Sequence, residues 1–173
     1  MPKKEIVDAI QKLDYTNVPF SEVSARLYYD DVGGIIQKYG DEHEGVIIAA
    51  LPDRVRFLYH VLWLQTTCMT DGLLSLFYNN SVFEIKRFLK IVKSAGLTDL
   101  TDLVEKALRV ILTKFPMPSD ESLTFMEDSD AQPRDFFGDD IGNAIDVIEN
   151  EIDDGLMSSD EFWDRVELAW NSL

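Results

Sequence analysis

Few side chains in this 173-residue sequence have the type and spacing that chemistry requires. The two histidines, His43 and His60, stand far apart in the chain, with no HExxH pattern and no cysteine cluster beside them. His43 lies in the acidic stretch GDEHEG, where a solvated or ion-paired imidazole is expected. His60 lies in an apolar run, where a hydrogen-bonded core histidine is expected instead of a ligand or a base. The single cysteine, Cys68, also sits among apolar residues, which predicts a buried, inert thiol in a reduced, cytoplasmic protein. The stretch DSDAQPRDFFGD sets Asp128 and Asp130 at the first and third positions of an EF-hand-like loop. It carries Pro133 where the sharp turn needs glycine, and Asp139 where the loop needs glutamate. There is no GxSxG, no phosphate-binding loop and no GxGxxG. The residues therefore point to no catalytic site, no metal and no cofactor, and give no positive reason to expect an enzyme.

Charge is the more informative chemistry. The net formal charge is −16, and its distribution is lopsided. Residues 117–173 hold 17 acidic side chains against only Arg134 and Arg165. Residues 1–116 are close to neutral, with 15 acids and 14 bases. Such a C-terminal third excludes direct nucleic-acid binding through that surface, because phosphates need cations, but it suits a basic protein partner. On a helix, residues three or four apart share a face. Asp139, Asp146, Glu149 and Asp153 then fall opposite the isoleucine stripe of one helix, and Asp160, Asp164 and Glu167 form a similar row on the next. Each row would space its carboxylates by roughly 5–6 Å. That is of the order of the phosphate spacing in DNA, about 3.4 Å along the axis of each strand. A contrasting basic stripe, Lys86, Arg87, Lys90 and Lys93, lies on FEIKRFLKIVK and is a candidate to pair with the acidic tail, within the chain or across a dimer.

The elements that must position these rows are helices. Ile6, Val7, Ile10 and Leu13 have helical spacing. A second helix is expected to start at Ser21 as N-cap and to bury Val23, Leu27 and Tyr28, with Gly33-Gly34 as a kink and Gly40 as a stop. GVIIAAL reads as a buried helix, since nothing downstream offers it a partner strand. The stretch after Pro52-Asp53, with Val55, Leu58, Tyr59, Leu62 and Trp63, is apolar on most sides and so central to the core. Ser81 caps a helix facing inward with Ile85, Phe88, Leu89 and Val92, and Gly96 stops it. Leu103, Ala107, Val110 and Ile111 mark another helix, ended by Pro116 and Pro118. Residues 116–138 form the main irregular region, too rich in Phe and Met for a free linker. Ile141, Ala144, Ile145, Ile148 and Ile152 make the stripe of the penultimate helix. Ser158 and Glu161 give a capping-box pattern ahead of Phe162, Val166, Ala169 and Trp170. The expectation is a single all-α domain, a bundle of about seven to nine helices. No apolar run reaches the ~18–20 residues of a membrane span, and the N-terminus MPKKEIVDAI has no secretory-signal pattern.

The stretch TDGLLSLFYNN is nearly all apolar between polar ends. It follows Arg56, Leu58, Tyr59 and Trp63, contains Gly72, Phe77, Tyr78 and Asn79, and precedes Ala95-Gly96. In these features residues 53–116 resemble a family of bacterial acidic all-α proteins that includes a DNA-mimic protein and carries an NGGFxQFFxN-like motif. Thr70-Asp71 stands where the motif has Asn-Gly, Leu73 replaces the first Phe, and Ser75 replaces Gln. The motif residues read as turn and capping groups, with Gly72 allowing close backbone approach and Asn79 bonding locally. The resemblance implies a dimer whose acidic surface imitates DNA phosphates and occupies the DNA-binding face of a transcription factor.

The resulting expectation is an acidic, cytoplasmic, dimeric DNA-mimic-like protein. It would bind a basic DNA-binding protein through Asp139, Asp146, Glu149, Asp153, Asp160, Asp164 and Glu167, with Phe136, Phe137 or Trp163 as exposed aromatic anchors. Two other classes stay open: an immunity or antitoxin-like inhibitor of a basic toxin, and a domain whose charge serves solubility alone.

Overall fold

A computed structural model describes residues 2–118, 125 and 131–173, with Pro2 and Lys3 as backbone only. Every regular element among them is helical, so the chain is all-α as expected. No helix among the described residues is long and apolar enough to cross a membrane. The chain divides into two compact units, residues 1–63 with 167–173, and residues 64–166.

In the first unit, α1 (Pro2–Ile10) packs on α3 (Gly33–Tyr39) and α4 (Glu44–Ala50). Ile6, Ile10, Ile35 and Ile47 are buried. The helix that buries Val23 is α2 (Phe20–Arg26), and it starts one residue before the expected cap. Pro19 occupies the N-cap position with no side-chain bond, and Ser21 lies exposed in the first turn. The Gly33-Gly34 kink takes the form of a π-helical turn over Leu27–Val32 that leads straight into α3. The Gly33 N–H bonds to the Tyr28 carbonyl, and a Cβ at Gly33 would stand 2.6 Å from that oxygen, so a larger residue would force the turn to shift. Gly40 caps α3 as expected. GVIIAAL is helical, but only Ile47 of α4 is buried while Val46 is exposed, because α4 is a short surface helix. Arg56 explains how α4 ends. It donates to the carbonyls of Ile48 (3.1 Å), Ala49 (3.0 Å) and Leu51 (2.6 Å), which satisfies oxygens that the helix leaves without partners.

The long helix α5 (Asp53–Thr70) contributes to both units, and Val55, Phe57, Leu58, Tyr59, His60, Val61, Leu62, Leu64 and Cys68 are all buried. Few positions on it face water, which is the physical meaning of its nearly uniform apolar pattern. Burial, followed by the fields of Glu149 and Asp153, pushes the Cys68 thiol up to about 12, so it stays protonated and inert.

In the second unit, α10 (Asp139–Asn150) touches α6 (Leu73–Asn79), α8 (Thr98–Leu112) and α9 (Pro133–Phe137), while α7 (Val82–Ser94) packs on α8. The isoleucine stripe of α10 is buried as read, with Ile141, Ile145 and Ile148 each at most 2% exposed. The face of α8 is turned slightly from the expected one, burying Leu100, Val104, Ala107 and Ile111. Ser81 caps α7 through a full capping box. Its hydroxyl accepts the Glu84 N–H, and Glu84 accepts the Ser81 N–H at 2.8 Å. Before the last helix, α11 (Asp160–Ser172), a single cap bond one residue further on replaces the expected box. Ser159 accepts the Phe162 N–H at 3.2 Å, while the Ser158 hydroxyl donates to the Asp154 carbonyl.

Candidate functional site

The seven acidic residues expected to form the partner surface do not make one uniform row. The physical reason begins with the backbone. Beyond Asn150 the penultimate helix continues as a π-helical turn, Glu151–Met157. A π-turn advances more residues per turn than an α-helix, so Asp153 is displaced from the line through Asp146 and Glu149 that α-helical spacing predicts.

Neighbouring side chains then divide the acids further. Asp146 receives the Arg134 guanidinium at 2.5 Å, and the same guanidinium donates to Asn143 at 3.0 Å. Arg134 can lie flat on α10 because Gly142 is there; a Cβ at that position would stand 2.8 Å from an Arg134 nitrogen. Glu151 pairs with Lys106 at 2.9 Å, and Asp140 with Lys114 at 3.3 Å. Lys106 comes from α8, Lys114 from the turn that follows it and Arg134 from α9, so these carboxylates join α10 and its π-turn to that region.

Glu149 departs furthest from a solvated row. Its Oε2 accepts the backbone N–H of Leu73, the first residue of α6. Gly72, the residue before it, holds φ at +79°, which favours glycine, and a Cβ there would lie 3.2 Å from the same oxygen. The motif corner is thus closed by a carboxylate reaching in from α10. Burial raises the Glu149 pKa against the opposing effect of the Leu73 N–H, and Asp146 and Asp153 raise it further. The remaining motif polar groups also bond locally. Ser75 donates to the Asp71 carbonyl at 2.7 Å, and Asn80, not Asn79, donates to the Leu76 carbonyl at 2.9 Å.

The last helix is different. Asp160, Glu161 and Asp164 are exposed, and none of them makes an ion pair or a hydrogen bond among the described residues. The cation within that run, Arg165, turns to Asp99 at 2.6 Å. Burial opposes ionisation of Asp99, but the Arg165 bond and the Leu100 N–H outweigh it and hold the carboxyl below its ordinary range. Glu167 is exposed one turn on, in the part of α11 that belongs to the other unit. Asp139 is exposed at the start of α10.

Of the expected aromatic anchors only Phe137 is buried, while Phe136 and Trp163 are half-buried. Phe137 is 2% exposed, Phe136 and Phe115 stack on it and on each other, and Trp163 donates its indole N–H to the Met157 carbonyl at 2.7 Å. Apolar burial outweighs exposure for rings that have neighbours within reach. Lys106, Lys114 and Arg134 pair with acids of the penultimate helix and its π-turn, and Arg165 of the last helix pairs with Asp99. Of the EF-hand-like loop, Asp128 and Asp130 lie outside the described residues, and no group of three or more metal-ligating side chains occurs among the described ones. His60 is buried in α5, as its apolar setting predicts.

Sequence reasoning missed Gly142, whose missing side chain decides where Arg134 sits. The available signal was a glycine inside a strongly helical run, which calls for a packing reason. No curated protein and no solved structure matches the sequence. The model of the DMP19-like protein family does match, over residues 49–169, a span that holds α5, the motif corner and both acidic helices; the chain belongs to that family.

Proposed function

We propose that this protein is a non-enzymatic acidic binding protein that occupies the nucleic-acid-binding surface of a basic protein such as a transcription factor. Its carboxylates would stand where the partner otherwise meets DNA phosphates. Family membership supports a DNA-mimic role, and the observation that carries the reading is the unpaired acidic run Asp160, Glu161 and Asp164 on α11. Carboxylates already bonded to Arg134, Lys106 or Lys114 have part of their field cancelled, whereas Asp160 and Asp164 keep theirs and Glu161 feels only Arg165, which is itself bonded to Asp99. Residues 160 and 164 are one helical turn apart, about 6 Å along the axis, which suits successive cations on a phosphate-binding surface. Asp139 and Asp153 extend the same kind of surface from the penultimate helix. In this reading the protein acts in the cytoplasm, and a homodimer would present the charged helix twice.

The test is capture from source-cell lysate with three baits: the native chain, Asp160→Asn/Glu161→Gln/Asp164→Asn, and Asp146→Asn. The native and Asp146→Asn baits are expected to retain a DNA-binding protein, which duplex DNA elutes and salt weakens steeply. The triple variant is expected to lose it. Equal retention by all three baits, or retention indifferent to salt and DNA, overturns the reading.

A further inference from the structure

One helix of this acidic chain presents a cationic face. On α7, Phe83, Lys86, Lys90 and Lys93 follow one another at helical spacings of three and four, so they share a face outside the buried set. All four are exposed. Glu84, the one acid of the helix, is occupied by the cap at Ser81. Lys90 and Lys93 make no ion pair among the described residues. Scattered surface lysines need no partner, but this face has a complement in the same unit. The acidic run of α11 is exposed and makes no ion pair among the described residues either. Asp160 and Asp164 repeat at one helical turn, about 6 Å along the axis, and Lys86 and Lys90 repeat at the same interval. The Arg165–Asp99 bond ties the middle of α11 to the first turn of α8, which begins just beyond the end of α7. Neighbouring patches of opposite sign on one surface are self-complementary about a two-fold axis, each stripe meeting the other copy's row.

We propose that the α7 face of one copy seats on the acidic run of α11 in a second copy, so that self-association covers the carboxylates the partner would use. The self-contact stands on charge and spacing alone, while its competition with a partner rests on the basic-partner reading above. Such a pair is a closed form, and the charged helix is presented when it opens. Net charge does not forbid it. Charges in contact lie within about 4 Å, whereas the rest of the excess is spread beyond the Debye length of about 10 Å at 0.1 M salt, so repulsion between the chains is screened more than the contact is.

Two charge reversals test the contact in sedimentation equilibrium of the full chain: Lys90→Glu/Lys93→Glu on the stripe, and Asp160→Lys/Asp164→Lys on the run. All four side chains are exposed, so neither reversal disturbs the core. At about 0.1 M salt the native chain is expected to self-associate, and each reversed chain alone to lose about tenfold or more in affinity. An equal mixture of the two reversed chains is expected to regain it, because the acidic α7 of one then meets the basic α11 of the other. Salt at about 1 M should dissolve both the native and the mixed pair. Octalysine, standing in for the basic partner, should dissolve the native pair by taking the same carboxylates. A native chain that stays monomeric, reversals that leave association unchanged, a mixture that does not regain it, or a pair that octalysine leaves intact would each overturn the proposal. Failure of the lysate capture with the mixture still associating would instead remove the partner reading and leave the self-contact standing.

Discussion

The penultimate and last helices are both acidic, and the structure gives their acids opposite work. On α10 and its π-turn, Asp140, Asp146, Glu149 and Glu151 reach Lys114, Arg134, the Leu73 N–H and Lys106 respectively. On α11, Asp160, Glu161 and Asp164 make no hydrogen bond or ion pair among the described residues, and only Glu161 feels the Arg165 charge. The difference lies in the neighbours. The penultimate helix packs among α6, α8 and α9, which bring two lysines, an arginine and a helix N-terminus to its edges. On the last helix the cation Arg165 is taken by Asp99, and no ion pair reaches Asp160, Glu161 or Asp164 among the described residues. Negative charge in one sequence can therefore act as clamp or as display, depending on what the fold sets opposite it.

The strongest way to break the clamp is to remove what both of its faces depend on. Ile152 is fully buried in the π-turn, and Ile152→Ala should cost about 2–5 kcal/mol in urea unfolding. A cost under about 1 kcal/mol would mean that the penultimate segment is loosely packed and its ion pairs incidental. Next comes the link between α10 and the motif corner. Glu149→Ala leaves the Leu73 N–H without its acceptor and should cost about 1 kcal/mol, while Glu149→Gln should cost much less. Equal losses in the two variants would show that the carboxylate's charge, not its hydrogen bond, holds the corner.

Smaller still is the surface pair. Asp146→Asn should lower stability by about 0.5 kcal/mol, since exposed ion pairs give little, and the loss should shrink in high salt. The matching change on the display side, Asp160→Asn/Glu161→Gln/Asp164→Asn, should leave thermal stability level or slightly raised because it relieves like-charge repulsion. A clear loss of stability in that triple variant would erase the distinction between the two helices.

The pH dependence sharpens the same contrast. Glu149 has a raised folded-state pKa, so the folded chain binds a proton more readily there than the unfolded chain does. Its contribution is fully present below the ordinary glutamate range and is lost as pH rises through the folded value. Asp99 is the reverse case: lowered by its net interactions, it contributes above the ordinary aspartate range and is lost on acidification. As pH falls from neutral, the native chain should therefore gain stability relative to Glu149→Gln and lose stability relative to Asp99→Asn in paired melting curves. Parallel curves for both would remove the assigned roles.

Much of the helical layout was legible because each helix carries its own periodic stripe and stop. The stripe of α10, the N-cap at Ser81 and the cap at Gly40 are local, and local rules identified them. The misplaced details are local too, but they turn on competition between neighbours. Ser159 displaced Ser158 as cap because the π-turn ends one residue later than an α-helical count allows. The candidate surface was harder to read. Counting acids with helical spacing finds every carboxylate, yet spacing along one helix carries no information about which helix packs beside it.

By itself, then, the sequence determined an all-α chain, its main apolar stripes, and a charge excess confined to its last third, since these follow from composition and from periodicity within single helices. Only the tertiary structure decided which carboxylates that charge leaves exposed. Arg134, Lys106 and Lys114 are distant in sequence from most of the acids they meet, and the Leu73 N–H lies 76 residues from Glu149. Such pairings depend on packing between helices, and electrostatic energy falls with separation in space, not in sequence.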